Sequence, residues 1–403
     1  MRITVGMKAK PGTWERVTSS RMLLVAATVW LKFFLIAQAQ VQTNDCNVQT
    51  FAGSDYGHLD GQGTDAMFHY PDDIVADTSG NLYVLDWDDV LRQAMIRKIT
   101  PVGMVSTLVT GLNTLGGEHM VMDRSNVIWI ALWQGYALKL TTKGQVLTAN
   151  LPYATGAICF DSTNNLYYAS QNIIFRRSTN GTEEVFAGSG NDADADGHGT
   201  LASLSHPYEM AADASNNIYV FETTGRFRRI NQNRDVVTLW TNQTFYAMCF
   251  DNTGTLVTAF NTSIGLLSLT NAAGPSPISL AGGQDGYLDG PGSLARFSSV
   301  YGVCFSQGTI YAADGGNHKI RSVFVGSNQP PPWPAHLGMA LFAGPTGRLK
   351  LSGAVGQTYS IESSTNMTGW ATETTIPLGV NPFYWFDQTP LGEEKFYRAL
   401  LQP

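Results

Sequence analysis

Six copies of one short pattern run through most of the chain. Each copy has an apolar triplet, an anchor residue, a turn and a second apolar run, and the anchor is aspartate in five copies and Ser306 in the sixth. The copies read DIVADTSGNLYVLD, HMVMDRSNVIWIAL, AICFDSTNNLYYAS, EMAADASNNIYVFE, AMCFDNTGTLVTAF and GVCFSQGTIYAAD. Gly and Asn in the turns tolerate positive φ, so each copy predicts a β-hairpin.

Two further strands follow most of these hairpins. The third-strand strings are IRKIT, ALKLT, FRRST, FRRIN, LLSLT and KIRSV, and the fourth-strand strings are VSTLV, QVLT, EVFAG, VVTLW and ISLAG. Four short strands in a repeat of about 40–50 residues are typical of a propeller blade. The sequence therefore predicts an all-β chain built as a β-propeller.

The last copy lacks a fourth strand, because KIRSVFV continues directly into a proline-rich stretch. The missing strand occurs at the other end of the repeat region, where VQTFAG resembles EVFAG and ISLAG. A strand supplied by the N-terminal part would close the ring and remove an open sheet edge. We therefore predict six blades, with the N-terminal strand completing the last one.

A second motif precedes the first, fourth and sixth copies, and its three occurrences begin DGQG, DGHG and DGPG. Together with IRKITPVGMVSTL, these strings resemble the NHL-repeat family over roughly residues 48–325. The resemblance implies a propeller with a narrow central channel. The family includes peptide- and RNA-binding scaffolds and a metal-dependent amidating lyase, so the resemblance leaves function open.

The N-terminal segment is typical of an export signal. Residues 1–21 are basic and polar, Met22–Ala37 is apolar apart from Lys32, and Ala37-Gln38-Ala39 fits a signal-peptidase site. We interpret residues 1–39 as a signal peptide, since the 16-residue run is shorter than the about 20 residues that a membrane span needs. The alternative is an uncleaved anchor, which would hold the protein at the membrane.

The predicted mature chain is acidic. Formal charge is −7 for the whole chain, and residues 1–39 contribute six basic side chains and one acidic side chain, which leaves −12 for the remainder. Nonspecific nucleic-acid binding needs basic surface, so this class is excluded. The sequence predicts an exported, bacterial-looking protein, periplasmic or extracellular, that is a monomer.

Three regions follow the predicted signal peptide. Residues 40–326 form the predicted propeller, 327–336 a stiff proline-rich linker, and 337–403 a small β domain. The strings YSIESSTNMTGW and FYRAL in this last region resemble a β module appended to many exported bacterial proteins. We predict a sandwich-like fold for it, with a packing or attachment role and no ligand.

Repeat-equivalent positions converge around one axis even when they lie far apart in the chain. Four residues before the anchor, where the family usually has Gly, three copies carry Asp73, His119 and Glu209. One position earlier the copies carry acidic or aromatic residues: Asp72, Glu118, Tyr208, Tyr246 and Tyr301. Convergent polar groups with aromatics are what a small-ligand site requires. We therefore predict a ligand site at the channel rim, whereas the simpler interpretation is a water-filled channel mouth.

Two metal hypotheses remain beside this one. Asp73, His119 and Glu209 have the side-chain types of zinc or calcium ligands, with Asp73 or Glu209 as a candidate catalytic base. The segment containing Asp192, Asp194 and Asp196 matches the first half of an EF-hand loop, which predicts calcium. Position 12 of that loop is Ser203 rather than Glu, and the motif also belongs to the DGHG blade loop.

The chain has no GxSxG, HExxH or P-loop motif. The five anchor aspartates recur once per blade, so we interpret them as turn-forming residues. Cys159, Cys249 and Cys304 are predicted to be buried free thiols. The sequence thus favours a binding scaffold for an unknown protein, peptide or carbohydrate, and the alternative is a metal-dependent lyase or hydrolase that uses Asp73, His119 and Glu209.

Overall fold

The fold is described from a computed structural model. It describes residues 46–113, 119–132, 136–151, 157–242, 244–267, 269, 278–325, 336–340, 348–352, 358–365, 369–377, 383–386 and 396–402. The predicted signal peptide, and all of the predicted linker except His336, lie outside this part of the chain. No helix in the described ranges has the length and apolar character that crossing a membrane requires.

Strands make up nearly all regular structure of the described residues, with three short 3₁₀ turns at Gly63–Asp65, Gly199–Leu201 and Gly315–Asn317. The first sheet contains Tyr70–Ala76, Leu82–Asp88, Gln93–Ile99, Met104–Leu112 and Gly61–Gln62. The second contains His119–Met122, Val127–Leu132, Tyr136–Thr141 and Val146–Asn150. The third contains Ile158–Phe160, Leu166–Ser170, Ile173–Arg177 and Glu183–Ala187.

The same antiparallel order repeats in the next three sheets. The fourth contains Pro207–Ala212, Ile218–Glu222, Phe227–Ile230, Asp235–Trp240 and Gly197–His198. The fifth contains Ala247–Phe250, Leu256–Phe260, Ser263–Leu267 and Ile278–Gly282. The sixth contains Val300–Ser306, Thr309–Asp314, Lys319–Val325, Cys46–Ala52 and Gly290–Pro291.

The sixth sheet joins the two ends of the repeat region. Cys46–Ala52 pairs antiparallel with Lys319–Val325, with Cys46 opposite Val325 and Ala52 opposite Ile320. The predicted pairing of the N-terminal strand with the last repeat is therefore confirmed. Closure leaves no unpaired edge on Lys319–Val325, which would otherwise expose a row of backbone groups.

Apolar side chains pack between successive sheets in six separate clusters. The cluster between the sixth and first sheets joins Phe51 and Ala313 to Phe68 and Ile74. Phe68 and Ile74 are almost fully buried, and burial of such a side chain stabilises a fold by about 1.5–3 kcal/mol. Because the last cluster joins the last sheet to the first, the six sheets form a closed ring.

The anchor aspartates hold the turns between the first two strands, as predicted. Asp77 Oδ1 accepts hydrogen bonds from the backbone N–H groups of Ser79 and Asn81, both at 2.9 Å. Asp123, Asp161, Asp213 and Asp251 accept the equivalent bonds. This geometry supports the structural interpretation of the anchors.

The DGxG loops are fixed by buried arginines. Arg97 donates to Asp60 of the first loop at 2.9 Å, to Asp86 at 3.1 Å, and to the backbone carbonyls of Leu59 and Met67. The equivalent arginines of the fourth and sixth sheets, Arg228 and Arg321, make the same four contacts. Each loop is thus tied to the core of its own sheet by one side chain.

The C-terminal region contains two three-stranded antiparallel sheets. One contains His336–Ala340, Arg348–Ser352 and Phe383–Phe386, and the other contains Ala371–Pro377, Thr358–Ser364 and Phe396–Leu401. Leu349 and Leu351 of the first sheet share one apolar cluster with Tyr359 and Ile361 of the second. The two sheets therefore pack on a common core.

Candidate functional site

The innermost strands of all six sheets line one cavity at the centre of the ring. Its volume is about 250 Å³. The lining consists mostly of apolar and sulfur-containing side chains, and its ionisable members other than cysteines are Asp73, His119 and Glu209. No lysine or arginine lines the cavity among the described residues. A narrow, largely apolar cavity with a few polar groups is the usual form of a small-ligand site.

The three predicted channel residues meet in this cavity. His119 Nδ1 lies 3.0 Å from Glu209 Oε2 and 3.9 Å from Asp73 Oδ2. The residues come from the first, second and fourth sheets, so only the closed ring brings them together. Asp73 and Glu209 are each 8% exposed, which places both carboxyl groups in a largely desolvated environment.

Backbone hydrogen bonds hold both carboxyl groups in place. Asp73 Oδ1 accepts from the N–H of Ile74 at 2.7 Å, and Oδ2 accepts from the N–H of Met120 at 2.6 Å. Glu209 Oε1 accepts from the N–H of Met248 at 3.2 Å. Met120 and Met248 belong to the next sheet in each case, so each carboxyl group also links two neighbouring inner strands.

The corresponding positions of the other three sheets carry small residues: Ala157, Ala247 and Gly302. At Gly302 a Cβ atom would lie 2.7 Å from Asp73 Cα and 2.8 Å from Asp73 Oδ1. Real Cβ atoms do not approach so closely, so the inner strand of the sixth sheet lies directly against Asp73. Glycine at this position therefore helps to define where the Asp73 carboxyl group sits.

Burial shifts all three ionisable groups towards their neutral forms. It raises the pKa of Asp73 to about 7, with the neighbouring charge of Asp72 adding to the effect and the backbone donors opposing it. It raises the pKa of Glu209 well above its usual value, and the charge of Asp73 adds to that shift. It lowers the pKa of His119 to about 4. At neutral pH the imidazole of His119 is therefore neutral.

The predicted rim residues differ in their roles. Tyr208 is half-buried and donates its hydroxyl to the backbone carbonyl of Phe245, and its ring lies 6.0 Å from that of His119. Tyr246 and Tyr301 form an edge-to-face pair with ring centroids 5.5 Å apart. Asp72 is half-buried beside Asp73. Glu118 lies outside the described residues.

The described residues of the two metal hypotheses are not arranged as a set of metal ligands. In the described part of the chain no group of three or more His, Cys, Asp or Glu side chains is arranged to hold a metal ion. The carboxylates of the EF-hand-like segment instead face three separate partners: Asp192 lies 3.6 Å from His206, Asp196 lies 2.9 Å from Arg228, and Asp194 pairs with Arg226. This arrangement does not favour calcium at the loop.

The three strand cysteines were predicted to be buried free thiols. They are free thiols and line the channel. Cys159 and Cys304 are buried and Cys249 is half-buried. Burial raises the pKa of each thiol. Cys46 is a buried thiol, and its Sγ donates to the carbonyl of Leu280 at 3.0 Å.

Sequence reasoning missed the buried arginines and their carboxylate partners. A signal was present, because Arg97, Arg228 and Arg321 occupy the third strand of those three sheets whose loops contain DGxG. It also missed a histidine contact beside the first sheet. His69 is 5% exposed, and its Nδ1 lies 3.4 Å from Asp88 Oδ2.

The ring of sheets, the central cavity and the polar cluster inside it define a β-propeller with an ionisable group of residues in its channel. No protein-family model matches the chain, and no curated protein matches it. The NHL-repeat resemblance therefore rests on the repeat strings of the sequence alone.

Solved structures share the fold at low identity. A structural-genomics protein of unknown function from Bacteroides thetaiotaomicron is 18% identical with a TM-score of 0.54, and the match covers 70% of this chain and 76% of that one. Virginiamycin B lyase from Staphylococcus aureus is 14% identical with a TM-score of 0.45 (70% and 99% covered). A gluconolactonase from Xanthomonas campestris is 11% identical with a TM-score of 0.46 (70% and 91% covered). At these identities a likeness concerns the fold alone, and of these three matches the first has a TM-score above 0.5.

Proposed function

We propose that this protein is an exported, six-bladed β-propeller of NHL-repeat type that acts as a binding scaffold. Its ligand enters the mouth of the central channel and is a group from a protein, peptide or carbohydrate. The observation that carries this proposal is the meeting of Asp73, His119 and Glu209, from three different sheets, in one buried cavity.

The cluster is poorly explained by stability alone. Burial of a polar group costs free energy unless its hydrogen bonds are replaced, and here two carboxyl groups and an imidazole share one desolvated space. The other three sheets have Ala or Gly at the same position, so the ring does not require polar side chains there. A site that exchanges these contacts for contacts with a ligand accounts for the cluster.

The remaining parts of the proposal concern the whole chain. Residues 1–39 direct export and are removed, residues 337–403 form a sandwich-like packing or attachment domain, and the mature protein is a monomer. If the N-terminal segment is retained, it anchors the propeller at the membrane. The acidic mature chain, with a charge of −12, supports a partner other than nucleic acid.

The test is a thermal-shift screen of peptides and oligosaccharides against the mature protein. Each hit is then measured on the variant Asp73→Asn/His119→Asn/Glu209→Gln, which keeps the size of both carboxyl side chains, and on Glu183→Gln, whose carboxylate pairs with Arg177 outside the cavity. We expect loss of binding in the triple variant and unchanged binding in the control. A ligand that retains its affinity for the triple variant would place the binding site elsewhere.

A lyase or hydrolase is the second candidate. The observation that favours it is the pKa of Asp73, raised to about 7 beside a neutral imidazole, because an acid or base works best with a pKa near the working pH. Its metal-dependent form, with zinc or calcium on Asp73, His119 and Glu209, stays a prediction, and the side chains as placed do not form a ligand set. Metal content of protein purified without chelator tests that form, and turnover lost in Asp73→Asn tests the acid–base form.

A further inference from the structure

Three fully buried carboxylates of the propeller each have a dedicated arginine. Two other buried carboxylates do not: Asp88 pairs with His69, and Asp161 accepts hydrogen bonds from the turn that it anchors. The three carboxyl–arginine pairs lie on the second and third strands of the first, fourth and sixth sheets, with the side chains of both partners fully buried. The pairs are Asp86–Arg97 at 3.1 Å, Glu222–Arg228 at 2.9 Å and Asp314–Arg321 at 2.7 Å. At these three positions the protein compensates a fully buried carboxylate with a guanidinium group, which offsets its desolvation.

Asp73 and Glu209, each 8% exposed, are slightly less buried than these three carboxylates and have different partners. The lining of their cavity contains no arginine or lysine among the described residues. The one nitrogen base close to both is His119, which is neutral at physiological pH because burial lowers its pKa. Among the described residues, the channel lining thus contains two carboxyl groups and no permanent cation, unlike the three carboxyl–arginine pairs.

We propose that the group that enters the channel is a small organic cation, an ammonium or guanidinium group, which takes the place that arginine fills in the other pairs. This inference rests on the proposed function, since it names the ligand class of the same site. The cation lies between the carboxyl groups of Asp73 and Glu209, and His119 holds the neighbouring position.

Three features fit such a ligand. The cavity volume of about 250 Å³ accommodates a short alkylammonium chain. The Tyr208 ring lies 6.0 Å from that of His119, and aromatic faces attract cations. The lining exposes apolar as well as polar surface, which suits an amine attached to a short methylene chain.

Entry of a cation also changes the proton balance. A positive charge beside Asp73 and Glu209 favours their ionised forms, so binding near neutral pH releases protons to the solvent. The titratable groups that face the two carboxyl groups are Asp72, His119, Tyr208 and the thiols of Cys159, Cys249 and Cys304. Burial raises the pKa of the Tyr208 hydroxyl, so it stays protonated. The thiols are protonated at this pH because burial raises their pKa, and His119 is already neutral, so the released protons come from the carboxyl groups.

The experiment is isothermal titration calorimetry of the mature protein with three probes of similar shape: butylammonium, butyramide and butyrate. Measurement in two buffers of different ionisation enthalpy gives the number of protons released. Glu209→Gln and Asp73→Asn each remove one carboxylate while keeping its shape, and Glu183→Gln is the control outside the cavity. Circular dichroism melting checks that each variant is folded.

We expect butylammonium to bind with proton release, and the two other probes to bind at least about tenfold more weakly. Each carboxyl variant is expected to weaken butylammonium by about 30-fold or more, as loss of one partner of a buried ion pair does. Glu183→Gln is expected to bind as the parent protein does. Should one carboxyl variant not fold, the other still provides this comparison.

Three results overturn the inference. If butyramide or butyrate binds in the channel more tightly than butylammonium, the ligand class is wrong while the channel site stands. If butylammonium binds equally to the parent protein and both carboxyl variants, or if calcium or zinc displaces it with higher affinity at the same carboxyl groups, the organic-cation assignment is wrong. The proposed function fails on a separate result, namely a screened ligand that binds the triple variant as tightly as the parent protein.

Discussion

His119 Nδ1 lies 3.0 Å from Glu209 Oε2 although 90 positions separate the two residues in the chain. The contact crosses the channel from the second sheet to the fourth. It exists because the ring closes, and it places an imidazole and a carboxyl group in a space with little water. The functional account depends on this relationship, and the predictions below follow from it or from the packing that maintains it.

The first prediction concerns stability against pH. The native pKa of Asp73, about 7, is above the ordinary value of 3.8, so the folded state binds more protons than the unfolded state between these values. Stability is then lost as pH rises from about 4 to about 7. Asp73→Asn removes this loss, so its free energy of unfolding relative to the parent protein should rise by about 3 kcal/mol between pH 4.5 and 7.

Urea denaturation at several pH values measures this difference. The loss of a backbone hydrogen bond in the variant is independent of pH, so only the pH-dependent part reports on titration of Asp73. A constant difference between variant and parent protein across this range would mean that Asp73 titrates near its ordinary value in the folded state.

The second prediction concerns the buried arginine of the first sheet. Arg97→Leu leaves Asp86 buried without its cation, so we expect a loss of about 3–5 kcal/mol in the free energy of unfolding. The double variant Arg97→Leu/Asp86→Leu removes both charges and should recover part of that loss. Arg177→Leu, at an exposed pair with Glu183, should cost less than about 1 kcal/mol. Equal losses for Arg97→Leu and Arg177→Leu would contradict this interpretation of the DGxG loops.

The third prediction concerns the glycine against Asp73. Gly302→Ala places a Cβ atom 2.7 Å from Asp73 Cα, so the sixth and first inner strands must separate. We expect a lower melting temperature and weaker ligand binding from the same substitution, because the strand shift moves the Asp73 carboxyl group. Gly369→Ala, where the added Cβ meets no atom within 4 Å, is the control. Normal stability and binding in Gly302→Ala would show that the interface accommodates the methyl group.

The fourth prediction concerns the thiols. Thiolate is the reactive form of cysteine, and burial raises the pKa of Cys159, Cys249 and Cys304 in the channel. Native protein at pH 8 should therefore react slowly with an aromatic disulfide reagent. Protein unfolded in roughly 6 M guanidinium chloride, a concentration beyond most unfolding midpoints, should react at all four cysteines and release four equivalents of the aromatic thiol. Rapid labelling of a channel thiol in the folded protein would indicate an open channel.

The strands and turns were the predictable part of this fold. Alternation of apolar residues and the Asn- and Gly-rich turns act locally, so DIVADTSGNLYVLD predicts its hairpin without knowledge of the rest. The closing strand Cys46–Ala52 was also predictable, because VQTFAG repeats the fourth-strand string of other copies.

The sequence predicted only those site residues that occupy equivalent positions of the repeat. Equivalence of repeat positions identified Asp73, His119 and Glu209 as neighbours of one axis, but the channel diameter decides which of them touch. The hydrogen bond from Met120 to Asp73 depends on the offset between two sheets, which no local pattern encodes. The partners of Asp192, Asp194 and Asp196 were not predictable either, since those contacts come from side chains distant in sequence.

The measurement that tests the central claim most directly is nitrogen NMR of protein labelled at its histidines. The account predicts that His119 is a neutral imidazole at pH 6, since its pKa is about 4. Its ring signals should shift on saturation with butylammonium. The ring signals of His198 should not shift, since His198 pairs with Asp235 outside the cavity. A His119 signal that is unchanged at saturation would contradict the claim that this cluster is the binding site.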